Sequence, residues 1–130
     1  MKATELRLGN FIYADGLHGG VIKTVEGIDV KGTLREENRV ILFKDHPVGE
    51  FIQHCKGIPL TEEWLLKFGF SFDKLNFYRL DKRLIVVRGK RFIDFGSDVE
   101  LKYVHQLQNF FFALTGTELS MTTEHCFETK

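Results

Sequence analysis

The chain has 130 residues, with 18 Lys+Arg balanced by 18 Asp+Glu, 43% hydrophobic and 28% charged residues, and two cysteines. That length accommodates one ordinary domain, the composition excludes wholesale disorder, and zero net charge removes the simplest case for a dedicated polyanion binder. Two cysteines are too few for a disulfide framework. No apolar run approaches the roughly 20 residues of a membrane span, and the N-terminus lacks the apolar stretch of a secretory signal. A cytoplasmic protein without membrane contact is therefore expected. The 13 phenylalanines provide aromatic mass for a core and an interface.

From residue 6 to 43 the pattern is short β-like runs broken by turn residues. Leu6-Arg7-Leu8 leads through Gly9-Asn10 to Phe11-Ile12-Tyr13, and Val21–Val25 and Ile28-Asp29-Val30 flank Gly27. Arg39 to Phe43 is another β-branched run. Close strands without helical periodicity predict a small curled sheet, and a strand, glycine-rich turn and strand resemble the start of an SH3-like barrel. Residues 44–57 read as a connection. Thr61 is a good helix N-cap, Glu62 and Glu63 suit the first turn, and Gly69 is the expected stop. This short helix needs packing to persist, with Trp64 and Phe68 on one buried face.

Three strand-like runs follow, at 75–80, 83–88 and 91–95, joined at Asp81-Lys82 and Gly89-Lys90, both of hairpin length. Leu84-Ile85-Val86-Val87 is apolar throughout, which predicts a strand covered on both faces, by the last helix and by the N-terminal sheet or a second subunit. A final helix is expected from about Tyr103 to Leu114, ending at Gly116, with a buried stripe of Tyr103, Val104, Leu107, Phe110, Phe111 and Leu114. Beyond Leu119 the signals weaken.

The chemistry-bearing residues offer few sites. His54-Cys55 and His125-Cys126 contain zinc-favoured donors, but adjacent residues chelate poorly and no Cys-x-x-Cys or His-x-x-x-His spacing exists. Gly16-Leu17-His18-Gly19-Gly20 precedes a strand and lacks the Gly-Lys-Ser/Thr ending of a phosphate loop, so it reads as a hairpin turn. Cys55 or Ser71 with His105 could be imagined as nucleophile and base, but no Gly-x-Ser-x-Gly elbow exists. No metal, cofactor or catalytic residue is assigned.

Two surfaces remain. Arg79, Lys82, Arg83, Arg88, Lys90 and Arg91 stand against Asp81 alone, whereas Asp94, Asp98, Glu100, Glu118, Glu124 and Glu128 outnumber Lys102 and Lys130 after it. The basic hairpin, with Phe77, Tyr78 and Phe92 interleaved, could track phosphates and stack bases. The same charges could guard strand edges or pair with the acidic segment within a subunit or across a dimer. His105, Gln108, Asn109 and Phe112 gather on another side of the last helix. They form a candidate interaction patch, or else the amides and imidazole satisfy backbone groups of the meander and N-terminal sheet.

Leu6-Arg7-Leu8-Gly9-Asn10, the run from Ile58-Pro59-Leu60-Thr61 through Trp64 to Phe70, Lys102-Tyr103-Val104-His105-Gln106-Leu107-Gln108-Asn109, and Phe112-Ala113-Leu114-Thr115-Gly116 together resemble a family of small uncharacterised bacterial proteins associated with phages and mobile elements. The resemblance implies a cytoplasmic accessory protein and carries no catalytic residue. The expectation is a single α+β domain over 1–130, with a β-rich, SH3-like part at 1–57 and a helix–meander–helix part at 58–130. It acts as a non-enzymatic module binding another protein or itself, with nucleic-acid binding through the 79–91 hairpin as the alternative.

Overall fold

The computed structural model describes residues 2, 5–15, 20–29, 39–44, 48–73 and 76–121. The first sheet contains β1 (Phe11–Ala14), β2 (Val21–Asp29), β3 (Val40–Phe43), β4 (Glu50–Phe51) and β5 (Cys55–Lys56). Its order is β4-β3-β2-β1-β5, antiparallel throughout. The runs expected to flank Gly27 fall on the one strand β2, whose register shifts between Val25 and Gly27. Such a bulge bends a strand and lets it serve both halves of a curled sheet. Leu6-Arg7-Leu8 is not a strand: the Asn10 N–H donates back to the Arg7 carbonyl and closes a turn. Residues 44–57, expected as a connection, contain β4, a 3-10 turn at Ile52–His54, and β5. Strands of two residues are too short to show an alternating pattern.

Alternation along β1 sends Ile12 and Ala14 into a core with Leu6, Val25, Ile41, Phe43, Ile52 and Cys55. Phe11 and Ile22 point the other way and pack on a second core. The Phe11 ring lies 5.8 Å from Trp64 and 6.1 Å from Phe68. One strand thus serves both cores.

The second core is organised by α1 (Glu62–Lys67), whose Thr61 side chain accepts from the Trp64 N–H and whose carboxylates Glu62 and Glu63 occupy the first turn. Gly69 ends it at φ 93°, a left-handed conformation that a Cβ would disfavour. Trp64 and Phe68 are buried as their spacing predicts. An antiparallel sheet follows: β6 (Ser71–Asp73), β7 (Phe77–Leu80), β8 (Arg83–Arg88) and β9 (Arg91–Asp94), in that order. The meander has four strands rather than three, because β6 returns from α1 to pair with β7.

α2 (Val104–Thr115) closes the layer, with Tyr103 as N-cap and Gly116 at φ 73° as C-cap. Its buried residues are Val104, His105, Leu107, Gln108 and Phe111. Tyr103 and Leu114, expected in the stripe, are 39% and 48% exposed. The helix is wedged between the second sheet and the N-terminal segment, so two flanks are buried and the apolar stripe is only one of them. The molecule is a mixed α+β protein in which strands dominate, with two antiparallel sheets and one main helix.

Of the two covers expected for the second face of β8, the N-terminal sheet does not lie there among the described residues. Ile85 is buried and Val87 packs against the second core, whereas Leu84 and Val86 point away and remain partly exposed. The N-terminal sheet docks beside α1, on the same side as the helices, so it leaves the opposite face uncovered.

Candidate interaction surface

The polar side of α2 meets the segment 5–11. Gln108 accepts the Phe11 N–H through Oε1 at 2.9 Å and donates Nε2–H to the Gly9 carbonyl at 3.0 Å. Asn109 donates Nδ2–H to the Glu5 carbonyl at 2.8 Å, while its Oδ1 accepts from Asn10 Nδ2 at 2.8 Å and Arg7 Nε at 3.0 Å. Arg7 also grips both carboxylate oxygens of Glu118 and lays its guanidinium 4.2 Å from the centre of the Phe112 ring. His105 and Gln108 are almost fully buried. The amides therefore satisfy backbone groups at Glu5, Gly9 and Phe11, as the second of the two readings has it for them, whereas the imidazole meets a side chain, Glu5, and none of these bonds goes to the meander. Of the four patch residues only Phe112 is a large exposed group, and Arg7 covers one of its faces.

His105 occupies the floor of a cavity of about 560 Å³ lined by Glu5, Cys55, Lys56, Gly57, Tyr103 and Gln106 among others. Its Nε2 lies 3.5 Å from Glu5 Oε1, and since a carboxylate can only accept, this contact favours the tautomer with the proton on Nε2. Nδ1 is buried without a partner. Burial lowers the imidazole's affinity for a second proton, outweighing the opposing pull of Glu5. Burial would raise the Glu5 carboxyl, but the Lys2 N–H and His105 together hold it below its ordinary value. The Cys55 thiol is pushed up to about 12 by burial and then by Glu50, which opposes thiolate formation. On the far side of α1, Tyr78 donates to Glu62 Oε1 at 2.7 Å. Burial and that bond push its phenol up to about 12.

The basic run is divided by strand geometry. Register places Tyr78, Ile85, Val87, Phe92 and Asp94 on the side facing the helices. Arg83 belongs to that side and lines a groove of about 610 Å³ with Phe111 and Leu114. Tyr78 and Phe92 are core residues, so the expected interleaving of these rings with the basic charges does not occur. The opposite face is built from cross-strand rows. Asp73, Phe77, Val86 and Ile93 form one row, Ser71, Arg79 and Leu84 another, and Arg88 stands opposite Arg91. Phe95, bound through its N–H to the Leu84 carbonyl, extends the second row and meets Phe77 edge to face, with ring centroids 5.6 Å apart. Ile93 is buried at the floor, Phe77, Leu84 and Val86 are half-buried, and Phe95 is 57% exposed. Lys82 and Lys90, at the two hairpin turns, line pockets on the helix-facing side, Lys82 with Arg83, Phe111 and Leu114 and Lys90 with Thr61, Glu62, Val87 and Phe92.

Arg91 is paired with Glu100 at 3.1 Å, which holds that carboxyl below its ordinary value. Among the described residues, no carboxylate pairs with Arg79 or Arg88. Leu84, Val86 and Phe95 were not singled out from the sequence, although a signal existed. The two hairpin turns fix the register, and adjacent residues must face opposite ways, so Phe77 and Tyr78 cannot both be presented outward.

His54 is exposed and Cys55 buried, so these neighbours do not act as a donor pair. No group of three or more metal-ligating side chains occurs among the described residues. His125, Cys126 and the turn residues 16–19 lie outside the described residues. None of the described helices is long and apolar enough to cross a membrane. No protein-family model, curated protein or solved structure matches the chain.

Proposed function

We propose that this chain is a non-enzymatic interaction protein whose binding surface is the uncovered face of the β6–β9 sheet. The observation that carries the reading is the partly exposed strip of Phe77, Leu84, Val86 and Phe95 on a sheet whose other face holds the second core. A contiguous apolar strip rimmed by charge is a common form of interaction site. The candidate nucleophile and base support a binding role: Cys55 is held as a thiol, and His105 is buried and engaged with Glu5. The resemblance to phage- and mobile-element-associated proteins supports reading it as a cytoplasmic accessory protein. The order β4-β3-β2-β1-β5, with a 3-10 turn before the last strand, supports an SH3-like assignment for the first sheet. That sheet positions the segment locked onto α2.

The test is association measured by size-exclusion chromatography and by capture from bacterial lysate. Phe95→Glu should abolish it, while Leu66→Glu, on exposed α1 surface, should not. Equal association by wild type and Phe95→Glu rejects the surface.

A further inference from the structure

The uncovered sheet face carries an arrangement of charge that folding does not require. Arg88 and Arg91 are direct cross-strand partners, and like charges in that relation destabilise a sheet. Lys90, in the turn between them, lines a pocket on the α1 side with Thr61, Glu62, Val87 and Phe92, so two cations, Arg88 and Arg91, meet at this end of the strip. Arg79 stands at the other end, in the row with Leu84. Four residue steps along β8 separate the Arg88 and Leu84 rows, about 13 Å at ~3.3 Å per step. The apolar and aromatic residues lie between: Phe77, Val86 and Ile93, with Phe95 beside Leu84.

We propose, resting on the surface assigned above, that this face binds single-stranded nucleic acid. Phe95 and Phe77 would stack bases, while Arg79 at one end and Arg88 and Arg91 at the other hold the backbone phosphates. Each base has a π-face, and its stacking on an aromatic ring is tolerant of sequence. An anion between Arg88 and Arg91 relieves their repulsion, and Arg91 exchanges an exposed carboxylate, Glu100, for a phosphate at little cost. A second copy is a poorer occupant, because a two-fold contact through this face would desolvate unpaired arginines against one another. Strand addition at the β9 edge is blocked, since the Asp94 N–H already donates to the Val99 carbonyl and the Phe92 carbonyl accepts from Leu101. Zero net charge means that attraction is local and depends on the few arginines of this face.

The test is fluorescence anisotropy with fluorescein-labelled dT12 and U12 over a salt series, using the full chain. Binding should weaken with salt, and each of Arg79→Gln and Arg88→Gln should reduce the logarithmic salt slope by about 0.7. Phe95→Ala should weaken binding about fivefold or more with an unchanged slope, and Phe95→Tyr should restore it. Lys67→Gln, on α1, serves as the distant control. Circular dichroism establishes that each variant is folded. Absence of binding at low salt, equal affinity for a duplex of the same length, or indifference to these substitutions overturns the assignment. If the oligonucleotides fail but Phe95→Glu abolishes capture of a protein partner, the surface stands, its occupant is a protein, and the nucleic-acid assignment is overturned. If both assays fail, the surface falls as well.

Discussion

Replacing Gln108 by Leu removes the amide that ties α2 to the turn into β1 while roughly conserving volume. The Phe11 N–H, half-buried beside Trp64, loses its acceptor at 2.9 Å, and the Gly9 carbonyl loses its donor at 3.0 Å. An unsatisfied buried donor costs about 1–3 kcal/mol, whereas the Gly9 carbonyl, at an exposed turn, can be rehydrated and loses only about 0.5–1.5 kcal/mol. The expected destabilisation is therefore about 2–4 kcal/mol, a large fraction of an ordinary domain's stability of about 5–15 kcal/mol. Urea titration followed by the fluorescence of Trp64, the one tryptophan, reads this directly, because its ring contacts Phe11. Gln108→Glu sharpens the test. A carboxylate still accepts from Phe11 but repels the Gly9 carbonyl, whereas its protonated form can donate there. That variant should recover stability as pH falls. A loss below about 1 kcal/mol for Gln108→Leu, or no pH recovery for Gln108→Glu, would refute the account of the joint.

His105 is buried with its imidazole pKa lowered from the ordinary 6.5, so the unfolded chain binds more protons than the folded one below that pH. Its contribution to stability is fully present above 6.5 and declines as pH falls toward the lowered value; urea midpoints at pH 7.5, 6.5 and 5.5 should show this, and His105→Leu should flatten it. A Cβ on Gly49 would sit 2.6 Å from the Ile41 carbonyl oxygen, which is backbone and cannot swing away. Gly49→Ala should thus cost about 1–3 kcal/mol by thermal denaturation. Cys55, with a thiol raised to about 12, should resist alkylation at pH 8 in the folded Cys126→Ser chain and react when urea is added. Alkylation as fast as that of free cysteine would contradict its burial.

Much of the candidate surface was legible in local pattern. The Asp81-Lys82 and Gly89-Lys90 turns predict three of the four meander strands, and the basic residues gathered there are visible in the chain. Parity along those strands already separates Phe77 from Tyr78. The pattern could not show that Phe95 would meet Phe77, because that contact depends on how β9 leaves the sheet. The polar side of α2 was legible as residue types without a destination: the same His105, Gln108 and Asn109 suit an open patch or a buried joint.

Local chemistry determined the helix limits: Thr61 with the following carboxylates begins α1, and Gly69 and Gly116 end the two helices where left-handed backbone is required. Short apolar runs bounded by turn residues likewise determined the existence of β1, β7, β8 and β9. Tertiary structure decided what covers each side. A continuous apolar run such as Leu84–Val87 records that neither side is strongly polar, not which neighbours arrive. Phe11 brought the first sheet against α1, on the same side as α2, and so left Leu84 and Val86 outward. Burial is a property of the partners that pack around a residue, and those partners are set by contacts distant in the chain.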